Sequence, residues 1–301
     1  MSTDWNATHL PDLSGRTAVI TGANSGLGII TAQALARAGM HVVLAVRDPD
    51  RGRTAAATVT GSTEVRRLDL ADLASVRQFA ASWQGPLDVL INNAGVMMLP
   101  QRQTKDGFEM QFGTNHLGHF ALTNLLLPHI TDRVVTLASI AHRRIGAIDF
   151  DDLHHTRGYD PTRAYAQSKL ANLLFTLELQ RRLTLAGSPV RALAAHPGWA
   201  STNLQGHVGN PLARLSLLIG NKLMAQAPEA GALPTLYAAT HDLPGACYVG
   251  PKGFAELRGT PTLVGRSPAA SDPEAAKRLW TMSEELTGTT FPMTLEHSQP
   301  S

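Results

Sequence analysis

Three glycines stand where a predicted strand passes into a predicted helix, and this junction constrains the fold more than any other feature of the chain. The apolar run 17–21 leads into the segment TGANSGLG, residues 21–28, which contains Gly22, Gly26 and Gly28. Glycines at such a turn let the backbone approach a ligand and leave the amides of a helix N-terminus open to an anion. The segment therefore predicts an anion-binding turn, with a glycine-rich turn that binds no ligand as the alternative.

Short apolar runs alternate with amphipathic stretches along the whole chain. This alternation predicts an α/β fold with a doubly wound, parallel, seven-stranded sheet, whose ligands gather at the carboxyl ends of the strands. We interpret residues 1–301 as a single domain, with an apolar lid at about 200–230 and a tail at about 261–301. The predicted strands are 17–21, 41–46, 64–68, 87–91, 133–137, 190–195 and 247–249, and the predicted helices are 28–38, 73–83, 108–130, 165–185, 228–241 and 272–286.

Composition excludes several classes of partner. The formal net charge is only +2, from 26 basic and 24 acidic residues, and no run of five like charges suggests an arm for nucleic acid. Cys247 is the only cysteine, so the chain cannot form an internal disulfide. No apolar run approaches the roughly 18 residues that span a bilayer, and the N-terminus lacks the pattern of a signal peptide. We therefore expect a cytoplasmic protein that binds neither nucleic acid nor a membrane.

The segment YAQSK, residues 165–169, places a tyrosine and a lysine one helical turn apart. A free phenol has a pKa of about 10, too high for ready proton exchange at neutral pH. A lysine charge about 4 Å away stabilises a phenolate by roughly 4 kcal/mol at a dielectric of about 20, before desolvation is subtracted. Because Tyr165 and Lys169 could equally lie on an ordinary amphipathic helix, the pattern counts only together with Ser139 and the segment NNAG, residues 92–95, which end two predicted strands.

With these motifs in this order, the chain resembles the short-chain dehydrogenase/reductase family. The resemblance runs from about residue 13 to about residue 291, and it is closest to the retinol-dehydrogenase-like branch. FGTNHLGHF at 112–120, YAQSKLANLLFTLEL at 165–179 and ELRG at 256–259 carry the resemblance to that branch. It implies a Rossmann fold and hydride transfer between a nicotinamide cofactor and an alcohol or carbonyl group.

The resemblance also implies a role for each matching residue. Tyr165 would be the general acid in reduction and the general base in oxidation, and Ser139 would hydrogen-bond the reacting oxygen. Lys169 would hold the nicotinamide ribose and lower the pKa of Tyr165, while Asn115 would position a water that relays protons. The cofactor-binding residues implied are Gly22, Asn24, Ser25, Gly26, Leu27, Gly28, Arg47, Asp69, Leu70, Asn93, Ala94, Gly95, Tyr165, Lys169, Pro197, Gly198 and Thr202.

The end of the second predicted strand indicates which cofactor binds. Family members that bind NAD(H) usually carry an acidic residue there, whereas this chain has Val46 followed by Arg47. The Arg47 guanidinium matches the geometry of a 2′-phosphate, so we expect NADP(H) rather than NAD(H). Asp48 leaves an alternative open, because it could bond a ribose hydroxyl or cap the next helix. The spacing of the three glycines also differs from the usual G-x-G-x-x-G fingerprint.

The substrate is expected to be a small hydrophobic carbonyl or alcohol, because segments 96–99 and 140–148, Trp199 and the lid are largely apolar. Two alternatives remain open: a non-catalytic scaffold or sensor that binds NADP(H), and an isomerase or dehydratase that acts on a sugar nucleotide. The family commonly assembles through the helices predicted here at 108–130 and 165–185, so a homodimer or homotetramer is expected.

An insertion at 142–160 separates Ser139 from Tyr165 by more than the family's usual interval, and the retinol-dehydrogenase-like branch has a similar insertion. Three of its carboxylates lie within four residues, at Asp149, Asp151 and Asp152, and we interpret them as a solvated turn because no histidine or cysteine pattern with ligand spacing accompanies them. The histidine pairs at 116/119 and 154/155 receive the same interpretation, as packing of a helix and a loop. No metal is expected.

Overall fold

A computed structural model describes residues 5–199 and 227–292. Its described strands form one sheet in the order β3-β2-β1-β4-β5-β6-β7-β8, parallel except for the antiparallel pair β7 and β8. The chain leaves β1 for β2 and β3 on one side and returns to β4 on the other, so the order reverses beside β1. The strands are β1 (Thr17–Thr21), β2 (His41–Val46), β3 (Thr63–Arg67), β4 (Leu87–Asn92), β5 (Ile130–Leu137), β6 (Arg191–Ala195), β7 (Tyr248–Pro251) and β8 (Pro261–Leu263).

Helices cover both faces of the sheet, which explains why the central strands are apolar on both sides. Val19 packs in the cluster that contains Phe120, whereas the next residue, Ile20, packs in the cluster that contains Leu35 on the opposite face. All four side chains are fully buried. The helices are α1 (Gly26–Arg37), α2 (Pro49–Ala56), α3 (Leu73–Ala81), α4 (Met110–Phe112), α5 (Gly118–Leu126), α6 (Pro161–Leu185), α7 (Pro228–Thr240) and α8 (Pro273–Thr287).

The helix predicted at 108–130 is present as one helical segment over residues 110–129, but it is not a regular α-helix throughout. The segment contains the short α4, a π-helical turn at Gly113–Leu117, α5 and a 3-10 turn at Leu127–His129, and β5 already begins at Ile130. Gly118 allows a close approach, because a Cβ there would lie 2.4 Å from the Leu70 carbonyl oxygen. The periodicity of the apolar residues continues through the segment, so the pattern alone did not reveal the π-helical turn.

The described part of the predicted tail, residues 261–292, belongs to the sheet and to the core. β8 adds an eighth strand to the seven expected, and it runs antiparallel to β7. The Trp280 ring of α8 stacks on Phe175 of α6 at 5.7 Å between centroids and meets Phe120 of α5 edge-on at 4.8 Å. Residues 200–226 of the predicted lid lie outside the described residues. Within residues 5–199 and 227–292, no helix has both the length and the apolar character needed to cross a membrane.

Candidate active site

The glycine turn joins β1 to α1 at the carboxyl edge of the sheet. Gly22 and Gly26 have φ angles of +67° and +57°, a backbone region that side chains disfavour. A Cβ on Gly28 would lie 2.6 Å from the Asn93 amide nitrogen, so only glycine fits against β4. Ser25 is the N-cap residue of α1, yet its side chain does not bond the amides of the first turn. Those amides are therefore available to an anion.

The segment after β4 is held against this turn through Thr21. The Thr21 Oγ1 atom accepts hydrogen bonds from the backbone amides of Asn93 and Ala94, both at 2.9 Å. The Asn93 side-chain amide donates to the Thr21 carbonyl at 2.7 Å. The carboxyl ends of two neighbouring parallel strands are thereby locked together, one on each side of the point where the strand order reverses.

A cavity of about 350 Å³ opens at this edge of the sheet. It brings together twelve of the residues expected at the cofactor site, from the glycine turn, the end of β4, α6 and the loop after β6. A larger, more open depression of about 700 Å³ lies between residues 144–149 and 160–166, away from the glycine turn. The twelve are Gly22, Asn24, Ser25, Gly26, Leu27, Gly28, Asn93, Ala94, Gly95, Tyr165, Lys169 and Pro197.

Tyr165 and Lys169 both face this cavity from α6. The Lys169 ammonium lies 5.7 Å from the centroid of the Tyr165 ring and donates to the Leu137 carbonyl at 3.0 Å. Burial raises the pKa of Tyr165, while a hydrogen bond with Ser139 acts in the opposite direction. Burial lowers the pKa of Lys169 to about 8. In this structure desolvation sets the pKa of Tyr165, which moves opposite to the direction expected from the lysine charge.

Ser139 follows β5 and performs two tasks at once. Its hydroxyl accepts the Ala141 amide at 3.2 Å and so caps the 3-10 turn Ile140–Arg144. The same side chain is close enough to Tyr165 to lower the pKa of the phenol, in opposition to burial. The local capping role and the role at the site are therefore compatible, because a hydroxyl oxygen has two acceptor positions and one donor.

Asn115 lies in the π-helical turn and is fully buried. Its side chain bonds the Val96 backbone twice, accepting the amide at 2.8 Å and donating to the carbonyl at 2.9 Å, and it also donates to Ser168 at 2.9 Å. A Cβ on Gly95 would lie 3.3 Å from the Asn115 amide oxygen and 3.6 Å from the Lys169 ammonium, so both groups border Gly95. The Asn115 side chain thus fixes a wall of the cavity.

Comparison with known proteins agrees with this geometry. Residues 16–212 match the family described as short chain dehydrogenase. The chain belongs to the short-chain dehydrogenase family. The match spans the glycine turn, the end of β4 and the Tyr165/Lys169 pair. Membership identifies the chain as an oxidoreductase that acts on alcohol or carbonyl groups.

Similar short-chain dehydrogenases include human retinol dehydrogenase 13, 43% identical, with 96% of this chain and 89% of that protein aligned. Mouse polyprenol dehydrogenase is 42% identical over 95% of this chain and 88% of its own length. A solved structure of an uncharacterized protein from Mycobacterium paratuberculosis is 54% identical with a TM-score of 0.85, covering 97% of this chain and all of that one. A structure described as an NAD(P)-dependent gluconate 5-dehydrogenase from Beutenbergia cavernae, with bound NADP, is 28% identical with a TM-score of 0.56, covering 76% and 91%.

The residues after β2 bear on the cofactor of this short-chain dehydrogenase. The Asp48 carboxylate accepts the amides of Asp50 and Arg51 at 3.0 and 3.2 Å, so it caps α2 as the second alternative expected. Arg47 and Arg51 are exposed, and neither guanidinium has a hydrogen-bond or ion-pair partner within the described part of the chain. Arg51 lines the cavity, whereas Arg47 does not.

Four residues expected at the cofactor site are not part of the cavity lining, and a fifth is not described. The Asp69 carboxylate accepts the Ala71 amide at 3.0 Å, and Leu70 is buried beside Gly118. Gly198 has a φ of +67° and packs against the turn at 256–257. Thr202 lies outside the described residues. Those absent from the lining are Arg47, Asp69, Leu70 and Gly198.

Sequence reasoning missed Arg51 and a polar network behind the cavity wall. The Tyr159 hydroxyl is within donating distance of both the Leu99 carbonyl, at 3.0 Å, and the Glu109 carboxylate, at 3.1 Å, and it accepts the Gln111 amide at 2.9 Å. Gln111 also accepts the amide of Met98, whose φ is +55°. Arg51, in α2, could have been found from its position four residues after Arg47. No local signal links Tyr159 of the insertion to Leu99.

The remaining polar clusters of the insertion have structural partners. Asp152 accepts the amides of Thr156 and Arg157 at 2.8 and 2.9 Å, and these bonds lower the pKa of its carboxyl well below the usual range. The His154 ring stacks on Phe108 at 5.7 Å. Within residues 5–199 and 227–292, no group of three or more His, Cys, Asp or Glu side chains is arranged to hold a metal ion.

Proposed function

We propose that this chain is an NADP(H)-dependent oxidoreductase that interconverts a hydrophobic alcohol and its aldehyde or ketone. The observation that carries the proposal is the convergence of Tyr165 and Lys169 with the uncapped glycine turn on one cavity. A phenol, an ammonium and an anion-binding turn at the same edge of a parallel sheet are the groups that a nicotinamide-dependent alcohol dehydrogenase needs.

The residues that follow β2 support NADP(H) over NAD(H). Asp48 uses its carboxylate to cap α2, which leaves no acidic side chain free on the residues 46–48 to bind a ribose hydroxyl. Arg47 and Arg51 instead offer two guanidinium groups that have no partner among residues 5–199 and 227–292. Guanidinium groups bind phosphate through paired hydrogen bonds, so a 2′-phosphate is the ligand that they suit. The cofactor would supply or accept the hydride.

The proton is handled by the chain's own residues. The raised pKa keeps Tyr165 protonated at neutral pH, so its hydroxyl can donate a proton to the reacting oxygen during reduction. Ser139, whose side chain opposes the rise in the Tyr165 pKa, would stabilise the oxygen as negative charge develops on it. Lys169 is nine-tenths or more buried beside the phenol and borders Gly95 and Asn115. Its proton would be replaced through the water that Asn115 is expected to position.

The substrate class is inferred from the apolar wall. Val96, Met97 and Leu99 line the cavity beside the catalytic groups. Relatives named for retinol and polyprenol, two long apolar alcohols, support the same class. We therefore propose a hydrophobic alcohol, aldehyde or ketone whose chain lies along residues 96–99.

We also propose that the chain forms a homodimer or homotetramer through a surface other than the faces of α5 and α6 that meet α8. Trp280 of α8 covers Phe120 and Phe175 on those helices within the same chain. Light scattering will measure the mass in solution. The cytoplasmic location stays a prediction from sequence, to be tested by cell fractionation.

The decisive experiment is turnover of NADPH with a panel of hydrophobic aldehydes and ketones by wild-type protein and by Tyr165→Phe. We expect the variant to lose at least about a hundredfold in kcat, because general acid catalysis contributes about 10² to 10⁴, while its Kd for NADPH stays within about threefold. Near wild-type turnover by Tyr165→Phe would refute the role of the phenol. NADPH binding by wild-type protein without turnover on any carbonyl would instead favour the non-catalytic scaffold.

A further inference from the structure

His119 lies at the centre of a buried hydrogen-bond chain that joins the cofactor turn to Asn115. Its Nε2 atom lies 2.9 Å from Thr21 Oγ1, and its Nδ1 atom lies 3.0 Å from the Asn115 carbonyl oxygen. Thr21, Asn115 and His119 are each at most 1% exposed. The direction of every bond in this chain follows from the chemistry of the groups.

The imidazole carries one proton, because burial lowers the His119 pKa to about 4. A backbone carbonyl can only accept, so that proton lies on Nδ1 and is donated to Asn115. Nε2 therefore accepts from the Thr21 hydroxyl. Thr21 Oγ1 already accepts the amides of Asn93 and Ala94, so its two acceptor positions and its proton are all used.

This series of hydrogen bonds connects the glycine turn with the cavity wall at Val96. Asn93 and Ala94 belong to the segment that packs on the glycine turn, and Asn115 holds Val96 in the cavity wall and borders Lys169. The π-helical turn at Gly113–Leu117 replaces the regular helical pattern around Asn115. A side-chain donor to the Asn115 carbonyl is a direct way to keep that irregular turn in one geometry.

We propose that His119 is a positioning residue for the reaction, one that fixes the Asn115 carbonyl and, through Asn115, the cavity wall at Val96. The inference rests on the proposed function for its kinetic consequence, but not for its structural one. The bond to Asn115 carries the effect. Loss of the bond to Thr21 should have little effect, because the Thr21 hydroxyl also lies 3.4 Å from the Ile91 carbonyl and can donate to it instead.

Three substitutions separate the two bonds. His119→Asn places an amide near the position of Nδ1 and keeps a donor for Asn115. His119→Gln places its amide near Nε2 and keeps a partner for Thr21. His119→Leu removes both bonds. The matched control is His116→Leu, three residues earlier in the same helical segment. His116 is equally buried but bonds Ser283 of α8 at 2.9 Å, away from the cofactor turn.

We expect His119→Leu and His119→Gln to lower kcat at least about tenfold, which corresponds to about 1.4 kcal/mol of activation free energy. His119→Asn should stay within about threefold of wild type, as should His116→Leu. The Kd for NADPH should change less than about threefold in all of them, because Thr21 still holds Asn93 and Ala94 against the glycine turn. A general loss of packing would lower the kcat of His119→Asn as well, and it would change the Kd for NADPH together with kcat.

Hydrogen exchange measured by mass spectrometry gives a readout that needs no turnover. Amides of residues 113–118 should exchange faster in His119→Leu and His119→Gln than in wild type or His119→Asn. If wild type turns over no carbonyl, the proposed function fails and exchange alone decides the role of His119. If the leucine variant does not fold, the asparagine and glutamine variants decide it. Rescue by glutamine instead of asparagine, or a leucine variant with wild-type kcat and exchange, would overturn the inference.

Discussion

Removal of the guanidinium groups after β2 should change the choice between the two nicotinamide cofactors. Arg47 and Arg51 lie four residues apart, and both are exposed and unpaired within the described part of the chain. A charge-assisted hydrogen bond contributes about 1.5 to 3 kcal/mol, and an exposed ion pair at most about 1 kcal/mol. Because solvent screens both arginines, we expect each alanine variant to weaken NADPH binding about tenfold and to leave NADH binding unchanged.

NADPH and NADH differ only in the 2′-phosphate, so replacing NADPH with NADH removes the proposed partner of the arginines. A double-mutant cycle can therefore combine this change of cofactor with each arginine substitution. Fluorescence titration gives the Kd of each cofactor for wild type, the two single variants and the double variant. Two arginines that share one phosphate are coupled, so the double variant should lose between about tenfold and a hundredfold. The difference between the cofactors should shrink as ionic strength rises.

Arg53→Ala is the matched control for this cycle. Arg53 is exposed on the same helix but is already paired with Asp50, so its loss should weaken neither cofactor selectively. An equal loss of NADPH and NADH affinity in Arg47→Ala and Arg51→Ala would refute the phosphate assignment. It would show that the arginines act through the fold of the β2–α2 turn or through the diphosphate.

Two further predictions follow from buried groups. Burial lowers the pKa of His119 to about 4 and of His116 to about 3, so the unfolded chain takes up protons at about 6.5 while the native protein does not. The free energy of unfolding should therefore fall by about 3 to 4 kcal/mol between pH 7 and pH 5, and urea titrations in which it stays constant would contradict this. Tyr159→Phe should raise the KM for a hydrophobic substrate several-fold without changing the Kd for NADPH, because the Leu99 carbonyl loses its donor. A KM that does not move would show that Tyr159 does not support the wall.

Much of the sheet could be predicted because its signals are local. The bounds predicted for β1 and β2 agree with the structure, since β-branched and apolar runs between turns need only a few residues to be recognised. The Asp48 cap was among the alternatives for the same reason. β8 was missed because Pro261–Leu263 has only three residues, and it becomes a strand by pairing with β7.

In the candidate site, too, the local motifs could be predicted from the sequence and the contacts between distant residues could not. The glycine turn and the Tyr165/Lys169 pair are recognisable from spacing, because each motif lies within one turn or one helix. The contacts of Tyr159 with Leu99, and of His119 with Thr21, join residues 60 and 98 positions apart. Such contacts depend on how elements pack, and one sequence contains no pattern that fixes them.

The pKa of Tyr165 shows which magnitude sequence reasoning lacked. The Coulomb energy of roughly 4 kcal/mol from a lysine about 4 Å away is large enough to make the phenol acidic, but only if both groups keep their solvation. Burial disfavours both charged forms, and it lowers the pKa of Lys169 to about 8, so part of the lysine charge is lost near that pH. The chain therefore holds Tyr165 as a protonated donor beside a lysine that can give up its own proton. This pairing suits a site in which the phenol gives a proton to the reacting oxygen and the lysine replaces it.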